Sequence, residues 1–181
     1  MANKYFDLFL RYLILVLIAV PGLSLFYFAF KPLTLYPSFF LLNIFYEAAL
    51  ANSTIIVGNI LSSSFVLIEI IDACIAGSAY YLLLILNLSV PNIKIAKRII
   101  MIIGSFIAFL ALNLIRIFIL SVMAISGSSY FDVTHLLFWY IFSVVFVIGI
   151  WFLEVKIFSV KEIPFYSDLK FLFERSNFRK K

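Results

Sequence analysis

The sequence predicts an all-α polytopic membrane protein. About four transmembrane helices are expected, with a partly embedded helix and a small outward-facing β-hairpin. Three observations predict it. Of the 181 residues, 65% are hydrophobic and 13% are charged, against about 45–50% and about 25% in soluble domains. Apolar runs of the length needed for spans of about 20 residues recur along the chain. Lys and Arg cluster at one end of most of these runs. A soluble globular core is excluded by this composition. Disordered, collagenous and disulfide-rich classes are excluded too, because they need more charge, more Gly and Pro, or more Cys. The net charge of +5 then carries topology and gives no reason to expect nucleic acid as a partner.

The elements follow in order. The first span is residues 6–30, with Lys4 and Arg11 near its start. Residues 13–20 have the length of a signal peptide core, and Pro21-Gly22 resembles an exit from it. No small-residue cleavage site follows and the apolar run continues, so the helix is read as uncleaved. Lys31-Pro32 is expected to break the run. Residues 33–51, interrupted by Pro37, Asn43 and Glu47, form either a further span or a helix lying in, or dipping into, the interface.

Residues 52–72 differ in texture. Two β-branched runs, 54–57 and 65–71, are separated by Gly58-Asn59 and the serines at 62–64, which predicts a hairpin. Open strand edges do not survive against lipid, so the hairpin belongs at a membrane face. Residues 73–90 form a span that ends at Pro91-Asn92, followed by a basic loop with Lys94, Lys97 and Arg98. Residues 99–125 span again and carry Asn113 and Arg116. A loop at 126–134 leads to the last span, 135–158. In the basic tail, 159–181, Leu169, Leu172 and Phe173 fall on one side of a short helix suited to an anionic membrane surface. The expected organisation is a membrane domain, 1–158, and a cytoplasmic tail, 159–181.

Excess Lys and Arg marks the cytoplasmic side. With both termini inside and 33–51 not crossing, all but Lys31 and the intramembrane Arg116 of the 14 cations lie inside. Letting 33–51 cross would move Lys4 and Arg11 outside. Four full spans are therefore expected, with the hairpin and the 126–134 loop facing outward.

The single cysteine, Cys74, and the single histidine, His135, then gain meaning. One cysteine excludes an internal disulfide and the paired-thiol chemistry of disulfide carriers. At about 1.5 Å per residue, Cys74 lies roughly 26 Å from the basic loop boundary at Pro91. By the same rise, Arg116 lies roughly 27 Å from Arg98, and His135 roughly 29 Å from Glu154. Three spans thus bring a thiol, a guanidinium and an imidazole to one depth near the outer face. A nearby cation favours the nucleophilic thiolate. Histidine can take the thiol proton and return it to a leaving amine, and arginine can hold a developing oxyanion.

Each residue also has a purely structural use. Cysteine is a common small apolar filler in helices, and histidine often sits at a membrane interface. Arg116 can snorkel to headgroups, and Asn113, one turn before it, can join two helices. Glu69, Asp72 and Asp132 are expected at the outer interface in water. Asp132 and His135 are too few to hold a metal; Asp132 orienting His135 is the better use of the pair.

The run Asp72-Ala73-Cys74-Ile75-Ala76-Gly77-Ser78-Ala79-Tyr80 opens one span, Asn113-Leu114-Ile115-Arg116-Ile117 lies near the end of the next, and His135 opens the last. In order, spacing and membrane setting this resembles the exosortase/archaeosortase family over residues 52–150. The resemblance implies a multi-span cysteine transpeptidase without cofactor or metal. Its partners would be exported proteins ending in a short motif, a transmembrane helix and a basic cluster. These would be cleaved near the outer membrane face and passed to an acceptor, often a lipid. It makes Cys74 the nucleophile and Arg116 and His135 its catalytic partners; Asn113 and Asp132, read from their spacing to these residues, are expected as supporting residues. The sequence departs from many relatives in placing Gly77 three positions after the cysteine, where they have glycine after two. Some archaeal relatives carry Arg where His135 stands. The Ile-rich character leans towards an archaeal member. The alternative is a non-catalytic small membrane transporter or assembly subunit, with Arg116 and Asn113 lining a polar path.

Overall fold

A computed structural model describes residues 2–20, 22–59, 64–160, 162, 164 and 166–175. Pro21, the serines at 62 and 63 of the expected hairpin turn, and the last six residues of the basic tail lie outside the described residues. The chain is mostly helical. In order it forms α1 (Ala2–Ala19), α2 (Ser24–Phe45), β1 (Ala48–Ala51), β2 (Thr54–Asn59), β3 (Ser64–Glu69), α3 (Asp72–Ile75), α4 (Gly77–Leu88), α5 (Ile95–Ile125), α6 (Phe131–Leu137), a π-turn (Phe138–Phe142), α7 (Ser143–Ile157) and α8 (Tyr166–Arg175). Three stretches are long and apolar enough to cross a membrane: Ser24–Phe45, Ile95–Ile125 and Phe131–Ile157. Leu8–Ala19 and Asp72–Leu88 are apolar but shorter.

The first correction concerns the amino-terminal half. α1 ends at Ala19 and α2 starts at Ser24, with Gly22 at a left-handed φ of 64°, and the helix does not break at Lys31-Pro32. Pro32 and Pro37 both lie inside α2. Each removes one helical donor, leaving the carbonyls of Phe28 and Leu33 without their usual partners. That interrupts helices in water, but apolar bundles tolerate it. No separate embedded helix therefore begins at residue 33. The carboxy-terminal part of the 33–51 segment instead becomes β1.

The second correction concerns the hairpin, which is a three-stranded antiparallel sheet ordered β1-β2-β3. The expected pair is present, with Ile55 opposite Ile68 and Val57 opposite Val66. β1 adds to the far side of β2, with Ala48 opposite Val57. Period-two alternation sends Ile55 and Val57 into the core. There they meet Leu35 and Leu42 of α2, Ile70, and Ile117 and Ile125 of α5. This cluster fixes the sheet across one end of the helical bundle.

A second cluster fills the middle. Phe26, Tyr80, Leu83, Phe109, Val147 and Ile150 draw α2, α4, α5 and α7 together. Tyr80 stacks on Phe30 with ring centroids 3.7 Å apart. α1 and α2 both run antiparallel to α4. Arg11 reaches the α4 terminus at Leu88, the Tyr81 hydroxyl meets the Leu15 carbonyl, and Phe26 and Phe30 pack on Tyr81 and Tyr80 further along.

The end of the bundle away from the sheet is tied by polar contacts. The Leu88 carbonyl accepts from Arg11 Nη1 and Arg98 Nη1, both at 3.3 Å, and Arg98 Nη2 donates to the Val90 carbonyl at 2.9 Å. Two cations thus satisfy the carbonyls that end α4, where the helix dipole favours positive charge. Asp168 of α8 accepts from Arg11 Nη2 at 2.9 Å and Nη1 at 3.1 Å, and from the Tyr12 hydroxyl at 3.1 Å. α8 is the helix expected in the tail. Its Leu169, Leu172 and Phe173 are exposed while Asp168 is buried against α1, which is the reverse of a helix on a soluble protein.

Candidate active site

Cys74 sits in a single helical turn, α3, directly after the sheet. Its N–H donates to the Ile71 carbonyl at 2.9 Å. The turn stops at Ala76, whose φ of 57° is left-handed, and α4 starts at Gly77. The residue has no side chain to hold Tyr27 away: a Cβ at this position would stand 2.7 Å from Tyr27 Cε1. The glycine therefore lets α2 press against the break. The expected span 73–90 is a broken helix with the cysteine on its short first piece, half-buried and with its thiol free.

Asn113 and Arg116 come from α5, three residues apart and both buried. Asn113 Nδ2 donates to the Cys74 carbonyl at 2.9 Å, so the asparagine holds the cysteine's backbone and not its sulfur. Arg116 Nη1 donates to Ser143 Oγ at 3.3 Å. Ser143 Oγ in turn donates to the Phe138 carbonyl at 2.9 Å, one turn of π-helix earlier. A π-turn inside a long helix is uncommon and concentrates at functional sites. Here it supplies the serine that steadies the guanidinium.

His135 lies on α6. Its ring stacks on Phe131 at 5.7 Å, nearly parallel, and meets the edge of Trp139 at 6.3 Å. The imidazole is exposed.

A cavity of about 270 Å³ is lined by all three singled-out residues, Cys74, Arg116 and His135. Residues 67–71 of the sheet strand and its exit form one wall with Cys74. Arg116, Ile117, Leu120, Ser121 and Ala124 of α5 form another, and Phe131 and His135 of α6 close it. The thiol and the guanidinium stand within electrostatic reach of one another. A second cavity of about 340 Å³ lies on the other side of Arg116, lined by Tyr27, Asp72, Ser78, Trp139 and Ser143 among others. Arg116 is common to both.

Not every expected residue joins the site. Asp132 is exposed, lies outside both cavity linings and makes no hydrogen bond to His135. It is the one supporting residue the structure leaves apart. Glu69, expected only as a solvated acid, lines the cavity with Cys74. Ser143 was not singled out by sequence; its one signal is being a hydroxyl within an otherwise apolar span. Among the described residues no three His, Cys, Asp or Glu side chains are grouped as metal ligands.

No protein-family model matches the sequence, and no curated protein or solved structure matches it either.

Proposed function

We propose that the chain is a membrane-embedded cysteine peptidase or transpeptidase of the exosortase/archaeosortase kind, acting on the carboxy-terminal signals of exported proteins. One observation carries the reading: Cys74, Arg116 and His135, from three separate elements, line a single cavity. An ionisable residue within a span is costly to keep and points to function.

In this reading α1 and α2 make one broken crossing. Asp72–Leu88, α5 and Phe131–Ile157 make three more, and α8 lies on the cytoplasmic surface. The sheet and the cavity then face outward, and Arg11, Arg98 and the tail lie inside, as the positive-inside rule asks. The Cys74 thiol gives its proton to His135, and the thiolate sulfur bonds to the substrate's scissile carbonyl carbon. The electron pair moves to the carbonyl oxygen, which Arg116 holds as it becomes negative. When the C–N bond breaks, His135 returns the proton to the leaving amine. A thioester on Cys74 remains. An acceptor hydroxyl, a lipid's or water's, gives its proton to His135 and its oxygen bonds to the thioester carbon; the C–S bond breaks and the sulfur takes the proton back as the Cys74 thiol.

The test is an exported reporter bearing a terminal helix and basic cluster, expressed with wild-type protein and with Cys74→Ala. Processing that depends on Cys74, and a hydroxylamine-sensitive adduct on it, is the expected result. Equal processing by both proteins would sink the reading. The runner-up, a non-catalytic transporter or assembly subunit, draws on buried polar groups between α4, α5 and α7, where Asn87 Nδ2 donates to Glu154 Oε2 at 3.0 Å and to Ser105 Oγ at 3.4 Å; it predicts that Cys74→Ala is silent. Orientation is tested separately by labelling cysteines placed at positions 53 and 93 in a Cys74→Ala background. An impermeant reagent on intact cells should reach position 53 only.

A further inference from the structure

β3 has one partner. It pairs with β2, and among the described residues no strand lies on its other side. The pairing fixes which backbone groups are free. Ile70 N–H donates to the Ser53 carbonyl, and the register places Ile68 opposite Ile55 and Val66 opposite Val57. In an antiparallel ladder, hydrogen-bonding direction alternates along the strand. Residues 66, 68 and 70 therefore point their backbone groups at β2, while Phe65, Leu67 and Glu69 point theirs away. The edge ends at Ile71, whose carbonyl is taken by Cys74 N–H.

This open edge runs along the cavity. Residues 67–71 line it consecutively, although their side chains alternate between the core and the outside: Ile70 is buried while Leu67 and Ile71 are exposed. Consecutive lining by a strand whose side chains alternate means that the cavity lies beside the strand, along its edge. Unpaired strand edges are normally blunted by charge, proline or a covering element. This one carries a single charge, Glu69, and leads in three residues from Ile71 to Cys74.

We propose that the free edge of β3 binds the substrate as an added strand: an extended peptide segment pairs with Leu67 and Glu69 and delivers its scissile carbonyl to Cys74. The proposal rests on the peptidase reading above and names how that site takes its substrate. Main-chain pairing supplies the affinity in such additions, and alternate side-chain pockets supply selectivity. The substrate class that follows is a segment free to be extended, lacking proline at the paired positions and lying just outside the membrane ahead of a terminal helix.

The experiment uses the full chain and an exported reporter with a short randomised segment before an apolar helix and a basic cluster. Clones whose size shift requires Cys74 define the working segment. Failure to recover any such clone counts against the peptidase reading itself. With a working segment, Leu67→Pro removes one outward N–H while leaving the β2 pairing intact, since an edge strand accepts proline there. Processing should fall roughly tenfold or more, the effect of one lost hydrogen bond in a dry site. Leu67→Ala, which keeps the N–H, should fall by clearly less. Alkylation of Cys74 by a small reagent should proceed as in wild type, which separates lost docking from lost folding. Equal losses in the two variants, or none in either, would overturn strand addition and leave the peptidase reading standing. A second measurement needs no variant of the protein. In a synthetic peptide of the selected sequence, N-methylation of successive amides should impair competition at every other position. A loss without that period would overturn the proposal as well.

Discussion

The two ends of the bundle spend buried polar groups differently. At the end away from the sheet, Arg11 and Asp168 form a two-bonded pair, Tyr12 adds a third donor, and Arg11 and Arg98 cap α4. Nearby, Asn87 Nδ2 donates to Glu154 Oε2 and the Leu83 carbonyl, both at 3.0 Å, and to Ser105 Oγ at 3.4 Å. These groups join α1, α4, α5, α7 and α8 to one another. At the sheet end, Arg116 shares a single 3.3 Å bond with Ser143 and otherwise faces two cavities. Cys74 and His135 line one of these cavities together with it. Polar groups turned on each other hold helices; polar groups turned on a cavity are free to meet a substrate. The comparison therefore predicts that substitutions at the sheet end cost activity and spare stability, and that those at the other end do the reverse.

The largest effect belongs to Cys74. Cys74→Ala should abolish reporter processing with no change in thermal unfolding, because one half-buried sulfur contributes little packing. Cys74→Ser should be almost as inactive. A large drop in unfolding temperature for Cys74→Ala would assign the cysteine to the core. His135→Ala should slow processing by about 10²–10⁴-fold at unchanged stability, since the ring is exposed. If proton transfer is its role, His135→Arg should be equally slow, because a guanidinium stays charged and cannot take the thiol proton. Arg116→Lys should lose about 10²–10³-fold, the usual effect of removing an oxyanion donor. Lysine keeps the charge but cannot face Ser143 and both cavities with one planar fork. Wild-type processing by Arg116→Lys would make the arginine an anchor.

At the other end the readout changes. Arg11→Ala leaves the Asp168 carboxylate buried with one phenolic donor and should cost about 3–5 kcal/mol in unfolding free energy. The double replacement Arg11→Met with Asp168→Leu should recover most of it, because neither charge is then stranded. The two should process the reporter at wild-type rate wherever the protein is folded. Loss of processing by the folded double variant would show that the ends are coupled, and the contrast between them would fail.

Much of this contrast was legible in sequence, and the exceptions have physical causes. Two of the three long apolar helices, Ile95–Ile125 and Phe131–Ile157, the β-branched strands and the tail helix follow from apolar runs and periodicity; the third, Ser24–Phe45, runs across the expected break at Lys31-Pro32. Cys74, Arg116 and His135 stood out as scarce residue types in greasy segments, and helical rise alone put them at one depth. Pro32 and Pro37 misled because proline ends helices where water competes for the freed carbonyls, which an apolar bundle does not allow. β1 was missed because Ala48–Ala51 has little strand propensity of its own; pairing with β2 makes it a strand. The left-handed Ala76 gives no local signal, and neither does the π-turn that presents Ser143. Arg11 and Asp168 are 157 residues apart, beyond any pattern rule. Glu154 reads in the sequence as the polar end of a helix, and nothing local marks it as the buried partner of Asn87, 67 residues away.

The smallest effect is expected at Glu154, and it is the sharpest test of the contrast. Its side chain is buried, and among the described residues Glu154 Oε1 and Asn87 Oδ1 are both acceptors without a hydrogen-bond partner. Glu154→Gln keeps an acceptor for Asn87 Nδ2 and adds a donor where the pair has only acceptors to spare. It should leave stability unchanged or raise it by up to about 1 kcal/mol. Glu154→Leu removes one acceptor and leaves Asn87 Nδ2 with the Leu83 carbonyl and the more distant Ser105 Oγ, and should cost about 0.5–1.5 kcal/mol, the net worth of one hydrogen bond. Processing should follow the folded fraction in both variants and fall no further. If the glutamate instead serves the chemistry, by lining a polar path or relaying a proton towards the cavity, Glu154→Gln would lose activity while its unfolding curve overlays wild type. Thermal unfolding and reporter processing measured on the same membrane preparation distinguish the two. A folded, inactive Glu154→Gln would extend the working site through the bundle to its far end.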